Sequence, residues 1–332
     1  MRKPIISQPV IITGGAGFIG SQLALHLLKE GVTAEELLLV DAHDAFQLRP
    51  CCEELRNRGV NIVDPDDFLE NLSDFSKAKV IFHMGASSST EEMREDFLKR
   101  VNIDYSNSLW DHCTKNSIPF FYASSAATYG DGSLGFDDNP NQFHKLFPLN
   151  PYGRSKLVFD QMVKDMVESN LTPKQWAGFR FFNVYGPGEE HKGSQASVLW
   201  VAKKQLQENG IIKLFKSHHP DFKDGEQKRD FVWVDDITQT LIAFWKNSYK
   251  NGIYNLGTGK ARTFIDLAQA VANALNKEAK IEFIPTPERL REHYQYFTQA
   301  DLSRLEQSGY TYKPHSLEEG ISKSIAAIKS TI

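Results

Sequence analysis

Tyr152 and Lys156 are the two residues whose types and spacing most suggest acid–base chemistry, in the run Tyr-Gly-Arg-Ser-Lys. If the run is helical, both side chains lie on one face, one turn apart. An ammonium close to a phenol favours the phenolate and lowers the pKa of the tyrosine towards neutral pH, which suits a group that takes and returns a proton. Ser124 or Ser125, after an apolar run, could hydrogen-bond a substrate oxygen. The alternative is a surface tyrosine and a turn serine, since a chain with 11 tyrosines contains a chance match about as often as not.

A glycine-rich stretch, Thr13–Gly20 (TGGAGFIG), supplies a second chemical signal. The β-branched run 10–12 before it predicts a buried strand, and the apolar spacing over 21–29 predicts a helix that stops at Gly31. A strand, a glycine turn and a helix in direct succession bring backbone N–H groups and the positive end of a helix to one point, where a phosphate can bind. The sequence therefore predicts a nucleotide cofactor, against the alternative of a plain connection between a strand and a helix.

Three of these glycines follow G-x-x-G-x-x-G spacing and have separate expected tasks. Gly14 allows the tight turn, Gly17 lets the pyrophosphate approach the backbone, and Gly20 lets the helix contact the sheet. The spacing differs by one residue from the commoner G-x-G-x-x-G pattern.

An acidic residue, Asp41, ends the second predicted strand about twenty residues after the glycine turn. A carboxylate at this position typically binds the hydroxyls of the adenosine ribose, although it could instead cap the next helix. Taken alone, Asp41 favours NAD, because it would repel the 2′-phosphate of NADP. Arg49 could offset that repulsion, so the local sequence leaves NAD and NADP open.

Helical patterns separate short apolar runs in the first half of the chain, which predicts an α/β fold with a parallel, doubly wound sheet of the Rossmann type. The predicted strands after the first are 36–41, 59–63, 79–83, 118–123 and 176–181. Tyr152 to Ser169 is predicted to form one long amphipathic helix. Since α/β sheets bind ligands at the carboxyl ends of their strands, Ser125 is expected at the site.

Beyond Asn183 the sequence is punctuated by proline and glycine, which predicts a smaller, irregular C-terminal domain laid over the nucleotide site. We therefore predict a cofactor-binding domain over 1–183 and a substrate-binding domain over 184–332. The division is not clean, because the apolar run Phe231–Val234 could return to the main sheet. More broadly, the segment 229–260 could return to the main sheet.

The composition of the 332-residue chain is typical of a globular enzyme, with 41% apolar and 24% charged residues. A net charge of -4 gives no reason to expect nucleic acid or an anionic membrane as a partner, and no apolar run is long enough to span a bilayer. Of the three cysteines two are adjacent, Cys51 and Cys52, so we expect reduced thiols in the cytoplasm rather than disulfides. No metal site is expected, and His218 and His219 are assigned to a solvated loop.

The glycine spacing, Ser125, Tyr152 and Lys156 together resemble the extended short-chain dehydrogenase/reductase superfamily, over nearly the whole chain. The resemblance implies a nicotinamide cofactor and, as in many members, a nucleotide-sugar substrate. Sugar-nucleotide 4,6-dehydratases of this superfamily carry an acidic pair directly after the active-site hydroxyl residue, where this chain has Ala126-Ala127. Without those carboxylates dehydration lacks its acid and base, so epimerisation or simple redox chemistry remains.

Four segments, in order along the chain, resemble the ADP-L-glycero-D-manno-heptose 6-epimerase family within that superfamily. They are 86–90 (ASSST), 180–194 (RFFNVYGPGEEHKGS), 228–232 (KRDFV) and 294–302 (YQYFTQADL). The resemblance implies epimerisation at C-6 of ADP-D-glycero-D-manno-heptose, by transient oxidation to a 6-keto sugar and re-reduction with a tightly bound NADP. It also implies a role in making the heptose of the lipopolysaccharide inner core, and a homo-oligomer with a pentamer as the expected state.

The same resemblance implies which residues form the site. Tyr152, Lys156 and Ser125 would be catalytic. Lys192 would be a second acid or base, because the two C-6 epimers present their oxygen in different directions; the alternative is a loop lysine that holds phosphate. The expected substrate-binding residues are Ser125, Asn183, Ser194, Phe215, Lys216, Ser217, Arg229 and Tyr294. The expected cofactor-binding residues are Gly14, Gly17, Phe18, Ile19, Gly20, Asp41, Ala42, Arg49, Met84, Gly85, Ala86, Ser87, Ser88, Asn102, Lys156, Val184 and Lys192.

The chain departs from the family pattern at two places. Ala45–Leu48 stands where a basic residue is expected after the second strand, which keeps the choice between NADP and NAD open. A longer insert, 218–227, precedes Arg229. That arginine suits a diphosphate oxygen, unless it forms a surface ion pair with Asp230 or Asp235.

Two other functions stay open from the sequence. One is another nucleotide-sugar epimerase or reductase, such as a UDP-hexose 4-epimerase, and the other is a non-catalytic sensor that binds NADP. The intact set of Ser125, Tyr152 and Lys156 argues against a sensor, because a sensor has no use for a tuned phenolate.

Overall fold

The computed structural model describes residues 8–291 and 294–329. Its strands are β1 (Val10–Thr13), β2 (Leu37–Val40), β3 (Asn61–Val63), β4 (Val80–His83), β5 (Phe120–Ser125), β6 (Trp176–Phe181), β7 (Asn183–Tyr185), β8 (Ile212–Phe215), β9 (Lys228–Trp233), β10 (Gly252–Leu256), β11 (Ala261–Thr263) and β12 (Ile281–Ile284). Its α-helices are α1 (Phe18–Lys29), α2 (His43–Leu48), α3 (Glu53–Asn57), α4 (Pro65–Glu70), α5 (Glu95–Leu98), α6 (Tyr105–Asn116), α7 (Pro151–Glu168), α8 (Val198–Glu208), α9 (Val234–Lys246), α10 (Phe264–Ala274), α11 (Glu288–Arg291), α12 (Ser303–Gln307) and α13 (Leu317–Lys329). Shorter 3₁₀ segments lie at Pro50–Cys52, Leu72–Phe75, Ala126–Tyr129, Pro140–Lys145 and Glu190–Gln195, and a π-helix at Lys99–Asp104.

Seven strands form one parallel sheet in the order β10-β6-β5-β4-β1-β2-β3. β1, β2 and β4 are buried along their whole length, as expected where helices cover both faces of a sheet and apolar side chains fill both sides. The predicted doubly wound sheet of the Rossmann type is confirmed. The fifth strand starts two residues later than predicted and runs on through Ser125, which is therefore part of the sheet.

The order of the strands reverses between β1 and β4, which are neighbours in the sheet. The chain winds away from β1 in one direction through β2 and β3, and in the other through β4, β5 and β6. The loops that follow β1 and β4 therefore diverge and leave a crevice at the carboxyl ends of the strands, which is where open α/β sheets bind ligands.

A smaller part contains the three-stranded sheet β11-β9-β7 and the pair β12-β8. Helices α8, α10 and α13 pack there around a separate cluster of buried apolar side chains, which includes Leu199 and Ile321. The suggestion that Phe231–Val234 returns to the main sheet is wrong: β9 pairs with β7 and β11, and α9 begins at Val234. The place beside β6 is taken by β10 (Gly252–Leu256), so a division of the chain after residue 183 assigns one strand of the main sheet to the second part.

All three cysteines are free thiols, and Cys113 is buried in α6. Cys51 and Cys52 belong to a 3₁₀ turn, with their sulfur atoms 3.9 Å apart. Over the ranges 8–291 and 294–329, no helix has the length and hydrophobicity needed to cross a membrane.

Candidate active site

Helix α7 presents Tyr152 and Lys156 at the carboxyl end of the main sheet. The side chain of Asn150 caps the helix by accepting a hydrogen bond from the Gly153 N–H (2.8 Å). A side chain at Gly153 would bring its Cβ to 2.7 Å from the carbonyl oxygen of Ala127. The glycine therefore lets the first turn of α7 lie directly against the segment that follows β5.

Lys156 is buried, and its Nζ donates to the carbonyl oxygen of Ala123 in β5 (2.9 Å). Burial lowers the pKa of Lys156 to about 8. Burial also raises the pKa of Tyr152, which a hydrogen bond with Ser125 opposes only in part. The expectation that the ammonium lowers the pKa of Tyr152 is therefore wrong for this arrangement, because Lys156 donates to a backbone carbonyl instead of the phenol.

Of the two adjacent serines, only Ser125 belongs to the site. Its Oγ accepts from the Ala127 N–H (3.1 Å), and its hydroxyl interacts with Tyr152. Ser124 is buried, and its hydroxyl donates to the Asp160 carboxylate (2.9 Å). The two side chains diverge because successive residues of a strand point to opposite faces of the sheet.

In the glycine loop after β1, close contacts with backbone atoms exclude side chains at Gly14 and Gly20. Gly14 has a φ of 68°, and a Cβ there would lie 2.6 Å from the Cα of Gly85, in the loop after β4. A Cβ on Gly20 would lie 2.1 Å from the carbonyl oxygen of Gly14. At Gly17 that same carbonyl, 3.1 Å away, supplies the only contacts that a Cβ would make with the described residues. Gly14 and Gly20 thus serve packing, whereas Gly17 borders the open side of the loop.

Asp41 ties the end of β2 to the glycine loop. Its carboxylate accepts from the backbone N–H groups of Ala16 (3.0 Å) and Ala42 (2.9 Å), and burial raises its pKa. It is not the cap of the next helix, because Ala42 occupies that position. The Arg49 guanidinium donates to the Ala16 carbonyl (3.0 Å), so a carboxylate and a guanidinium hold the backbone of the loop on the two sides of Ala16.

Asn102 holds the loop after β4, Met84–Ser88, to helix α7. Its Oδ1 accepts from the Ser87 N–H (2.9 Å), and its Nδ2 donates to the Ser87 carbonyl (3.1 Å) and to Ser155 Oγ (2.9 Å). Asn102 lies in the π-helix, and Ser155 lies on α7. One buried amide therefore joins the predicted cofactor loop to the helix that carries Tyr152.

A buried histidine, His83, connects β1, β4 and α6 beneath the crevice. Its Nδ1 lies 2.6 Å from Thr13 Oγ1, and its Nε2 lies 2.8 Å from Ser106 Oγ. Burial lowers the pKa of His83 to about 3, and the positive charge of Lys156 adds to that effect. The imidazole is therefore neutral at physiological pH.

Lys192 is held beside the first turn of α1. Its Nζ lies 3.7 Å from the carboxylate of Glu189 and 5.1 Å from the centre of the Phe18 ring. Glu189 is fully buried and accepts from the N–H groups of Gly186 (3.1 Å) and Ser197 (2.7 Å). Burial raises the pKa of Glu189, whereas the Lys192 ammonium opposes that rise. This carboxylate thus braces the loop that carries Lys192 and supplies the lysine with a counter-charge.

The predicted substrate-binding residues come from several elements of the smaller part. They are Asn183 at the start of β7, Phe215 at the end of β8, Lys216 and Ser217 directly after it, Arg229 in β9 and Tyr294 after α11. Val184, predicted to bind the cofactor, follows Asn183 in β7. The side chain of Ser194 lies outside the described residues.

Arg229 is buried, and its guanidinium carbon lies 5.2 Å from the centre of the Tyr294 ring. Its terminal nitrogens donate to backbone carbonyls, one of them that of Gln295. The alternative of a surface ion pair is wrong, since Asp230 accepts from backbone N–H groups and Asp235 pairs with a histidine.

The insert 218–227 packs on aromatic rings. The His219 ring centre lies 5.0 Å from that of Tyr296 and 5.4 Å from that of Phe222. In the part of the chain that the structure describes, no group of three or more histidine, cysteine or acidic residues could hold a metal ion.

The sequence motifs do not single out three buried charged residues that the structure places at the site. Asp160 and Arg180 form an ion pair of 2.8 Å with no exposed surface, and Glu189 is the third. A signal for Asp160 was present, because it follows Lys156 at the same four-residue spacing that separates Lys156 from Tyr152.

The sequence profile of the NAD dependent epimerase/dehydratase family matches residues 10–257. The chain is 43% identical to an ADP-L-glycero-D-manno-heptose-6-epimerase of Fusobacterium nucleatum, over 94% of this chain and 95% of that protein. It is 41% identical to a protein of the same name from Nitratidesulfovibrio vulgaris, over 95% of this chain and 96% of that protein.

Solved structures share the fold over nearly the whole chain. The crystal structure of Helicobacter pylori ADP-L-glycero-D-manno-heptose-6-epimerase superposes with a TM-score of 0.78 at 27% identity, over 99% of both chains. UDP-glucose 4-epimerase from Thermus thermophilus, solved in complex with NAD, has a TM-score of 0.76 at 25% identity, over 98% of this chain and 100% of that one.

Proposed function

The chain belongs to the NAD dependent epimerase/dehydratase family, and from this premise we propose that it converts ADP-D-glycero-D-manno-heptose to ADP-L-glycero-D-manno-heptose by inversion at C-6. One observation carries the proposal: identity of 40% or more, over nearly the whole chain, to proteins named for that reaction. The Ala126-Ala127 pair after Ser125 agrees with it, because epimerisation by direct oxidation of a hydroxyl needs no acidic pair there. The product would supply the heptose of the lipopolysaccharide inner core.

The residues around the glycine loop fit a dinucleotide. The first N–H groups of α1 have no partner within the helix, and the open side of Gly17 leaves the backbone accessible to a pyrophosphate. Phe18, Ile19 and Gly20 form the first turn, and Asp41 lies where the adenosine ribose would reach. When bound, the nicotinamide supplies a hydride acceptor and later a hydride donor at C-6.

We assign NADP as the cofactor, with NAD as the alternative. Arg49 supplies a guanidinium near Asp41, bound to the same residue of the glycine loop, Ala16, and so offsets the repulsion between that carboxylate and a 2′-phosphate. Mass analysis of the nucleotide released from the purified protein tests the assignment. NADP supports it, and NAD alone contradicts it.

Tyr152 removes the proton of the C-6 hydroxyl in one epimer as the hydride leaves, which gives a 6-keto sugar. Lys156, one turn further along α7, donates to the Ala123 carbonyl and would supply positive charge near the end of β5 without a direct contact to the phenol. Ser125 donates a hydrogen bond to the C-6 oxygen, and Asn183 orients a neighbouring oxygen. Arg229, with Tyr294 against its guanidinium, lies in the smaller part and would bind the diphosphate.

Lys192 serves the second face of the keto sugar. The two epimers direct their C-6 oxygen differently, so one fixed phenol does not reach both. Held by Glu189 beside Phe18, the Lys192 ammonium has a proton to donate next to the predicted cofactor site. A phosphate contact is the alternative role, and the half-reactions described in the Discussion separate the two.

The reaction is tested by incubating the purified protein with ADP-D-glycero-D-manno-heptose and, separately, with UDP-glucose. Proton NMR of the anomeric and C-6 positions follows each sugar, and Tyr152→Phe protein is the matched control. Inversion at C-6 of the heptose alone supports the proposal. Inversion of the UDP-hexose at C-4 supports the alternative of a UDP-hexose 4-epimerase, and tight cofactor binding without turnover of either sugar supports a sensor.

We further propose that the protein works as a homo-oligomer in the cytoplasm, with a pentamer as the expected state. Free thiols at all three cysteines agree with a reducing compartment. Light scattering coupled to gel filtration measures the state directly. A molar mass near 37.6 kDa, that of one chain, would contradict the oligomer.

A further inference from the structure

A buried cluster of polar side chains surrounds Asp160, one turn beyond Lys156 on α7. We propose that Asp160, supported by Arg180, is a positioning residue that keeps Lys156 as an ammonium against the end of β5. The proposal rests on the proposed function, since it concerns the catalytic lysine of that reaction.

The carboxylate of Asp160 is fully engaged. Its Oδ1 accepts from the Tyr122 hydroxyl (3.0 Å), and its Oδ2 accepts from Ser124 Oγ (2.9 Å) and from the Nε of Arg180 (2.8 Å). Asp160 and Arg180 have no exposed surface. Three donors from β5 and β6 therefore fix the orientation of one carboxylate inside the protein.

This ion pair is poorly explained as a stabilising feature. Among the described residues, the Nη1 and Nη2 atoms of Arg180 form no hydrogen bond of good geometry, and the Tyr129 hydroxyl interacts only weakly with the guanidinium. Instead, its guanidinium carbon lies 3.9 Å from the centre of the Phe143 ring and 4.9 Å from that of Tyr129. Well-packed apolar side chains often give equal or greater stability than a buried ion pair with incomplete hydrogen bonding. A role in function accounts better for a charge placed here.

That role follows from the neighbours of Lys156. Tyr152, Lys156 and Asp160 lie at successive four-residue steps, so they share one face of α7. Lys156 Nζ donates to the carbonyl of Ala123, and the next residue of β5, Ser124, donates to Asp160. Burial lowers the pKa of Lys156 to about 8, and the Asp160 charge acts against that fall. The carboxylate thus keeps the lysine charged without drawing its Nζ away from the end of β5.

Of the charged and titratable groups that neighbouring elements place around Lys156 and Asp160, none changes charge near neutral pH. Burial lowers the pKa of His83 in β4 to about 3. Burial and the Asp160 charge raise the pKa of Tyr122 in β5 well above its usual range, and burial raises that of Tyr129. Arg180 in β6 keeps its charge.

The remaining charges on or against α7 lie on its exposed side. They are the pair of Arg154 with Glu95 of α5, and the pairs of Lys164 with Asp165 and Glu168. Solvent screens them from the buried face. The ionisations of Tyr152 and Lys156 therefore dominate the pH dependence of the site.

The test removes the charge of Asp160 and follows the protonation of Lys156. Asp160→Asn keeps the size of the side chain and one acceptor oxygen. Because the carboxylate raises the pKa of Lys156, its removal lowers that pKa, and the ammonium is lost at a lower pH. We expect the alkaline limb of the kcat profile for epimerisation to move to lower pH by about one unit or more, the usual effect of one nearby opposite charge. At pH values above the alkaline limb of the wild type, kcat of Asp160→Asn should be about tenfold lower than kcat of the wild type.

Asp165→Asn is the matched control, since Asp165 lies on the same helix with a side chain 77% exposed. It should leave the alkaline limb where it is in the wild type. If Asp160→Asn lowers kcat equally at every pH and leaves the limb unmoved, Asp160 has only a structural role and the proposal is overturned.

A second measurement tests the role of Asp160 without relying on turnover, and a second variant covers the case in which Asp160→Asn does not fold. NMR of lysine labelled at Cε reads the pKa of Lys156 directly, with its signal assigned by its absence from Lys156→Met. If Asp160→Asn does not fold, the double variant Asp160→Leu with Arg180→Leu replaces the ion pair by apolar side chains. An unchanged pKa of Lys156 in that double variant overturns the proposal. A wild type that does not epimerise ADP-heptose contradicts the proposed function, whereas an unmoved pKa of Lys156 contradicts the role of Asp160.

Discussion

At the scale of residues, the two acid–base candidates occupy different surroundings. Tyr152 lies on a capped helix against the end of β5, beside Ser125. Lys192 lies on a loop braced by Glu189, beside Phe18 of α1. Two proton donors on separate elements suit a reaction in which the same carbonyl is reduced from opposite faces.

The half-reactions test this division between Tyr152 and Lys192. Tyr152→Phe keeps the ring and Lys192→Met keeps most of the stem, so each change removes one proton donor. We expect each variant to lose net epimerisation by about 10²-fold or more, since general acid–base groups typically contribute 10²–10⁴-fold. With an aldehyde analogue of the substrate, one molecule is oxidised to the acid while a second is reduced to the alcohol. For a given stereochemistry of the analogue, only one of the two variants should catalyse this dismutation, as followed by NMR.

Cofactor content is the control, since the glycine loop and Lys156 are unchanged in both variants. If Lys192→Met epimerises at the wild-type rate, Tyr152 serves both faces. If it is slowed and also loses cofactor, Lys192 holds a phosphate.

His83 gives a second prediction at this scale, on stability against pH. Its pKa of about 3 in the fold lies below the value of 6.5 for the free side chain, so the unfolded chain binds the extra proton first as the pH falls. Above about pH 6.5 His83 is neutral in both the folded and the unfolded chain, so it does not change the free energy of unfolding. Below that pH the free energy of unfolding should fall by about 1.4 kcal/mol per pH unit from this group.

Thermal or denaturant unfolding between pH 6.5 and 4.5 measures that slope. His83→Gln, which keeps polar atoms but does not titrate, should show a shallower decline than the wild type. Equal slopes in the two proteins would mean that His83 does not stay neutral on folding.

At the scale of elements, different glycines of the loop after β1 are predicted to serve packing and cofactor binding. Gly20→Ala would place a methyl group 2.1 Å from a backbone oxygen that cannot move aside, so we expect a loss of about 1–3 kcal/mol in the free energy of unfolding. Gly17→Val meets only that carbonyl at 3.1 Å, and Gly17 has an extended backbone that valine adopts. Gly17→Val should therefore fold but come through purification without nicotinamide cofactor.

Each variant is the control for the other. Thermal unfolding and the absorbance of released nucleotide measure stability and cofactor content separately. Stoichiometric cofactor in folded Gly17→Val would show that the pyrophosphate binds elsewhere.

At the scale of the whole molecule, one carboxylate fastens the smaller part to the main sheet. Asp230 of β9 is fully buried and accepts from the N–H groups of Thr258 (2.7 Å), Gly259 (2.9 Å) and Ala300 (2.9 Å). Thr258 and Gly259 follow β10 of the main sheet, whereas β9 belongs to the three-stranded sheet. The arrangement joins β9, which carries Arg229, to the end of the main sheet.

Asp230→Ala should therefore destabilise the whole protein. It leaves the buried N–H of Ala300 and the partly buried N–H groups of Thr258 and Gly259 without their acceptor. At about 1–3 kcal/mol for a buried group and less for the others, we expect a loss of about 3 kcal/mol in the free energy of unfolding by denaturant. Asp221→Ala, at a side chain 80% exposed, is the control and should change it by less than about 0.5 kcal/mol. A change of that small size in Asp230→Ala would mean that the N–H groups find other partners.

The sequence by itself determined the parallel sheet, the glycine loop and the placement of Tyr152 and Lys156 on one helix. These follow from local patterns: β-branched runs between helices, glycines at fixed spacing, and two side chains one turn apart. The positions of Gly14 and Gly20 also follow from such a pattern, and the close backbone contacts at both agree with it.

Only the tertiary structure decided which charges meet in the interior. Asp160 on α7 and Arg180 in β6 are twenty residues apart, and nothing in their own segments pairs them. The same holds for β10, the part of 229–260 that joins the main sheet, whereas Phe231–Val234, which could also have returned there, pairs elsewhere. Pairing of this kind depends on which strand occupies which edge, a competition among distant segments that no local spacing records. Because burial sets the pKa values of Tyr152, Lys156 and His83, the chemistry of the site also depends on the packing of the whole sheet.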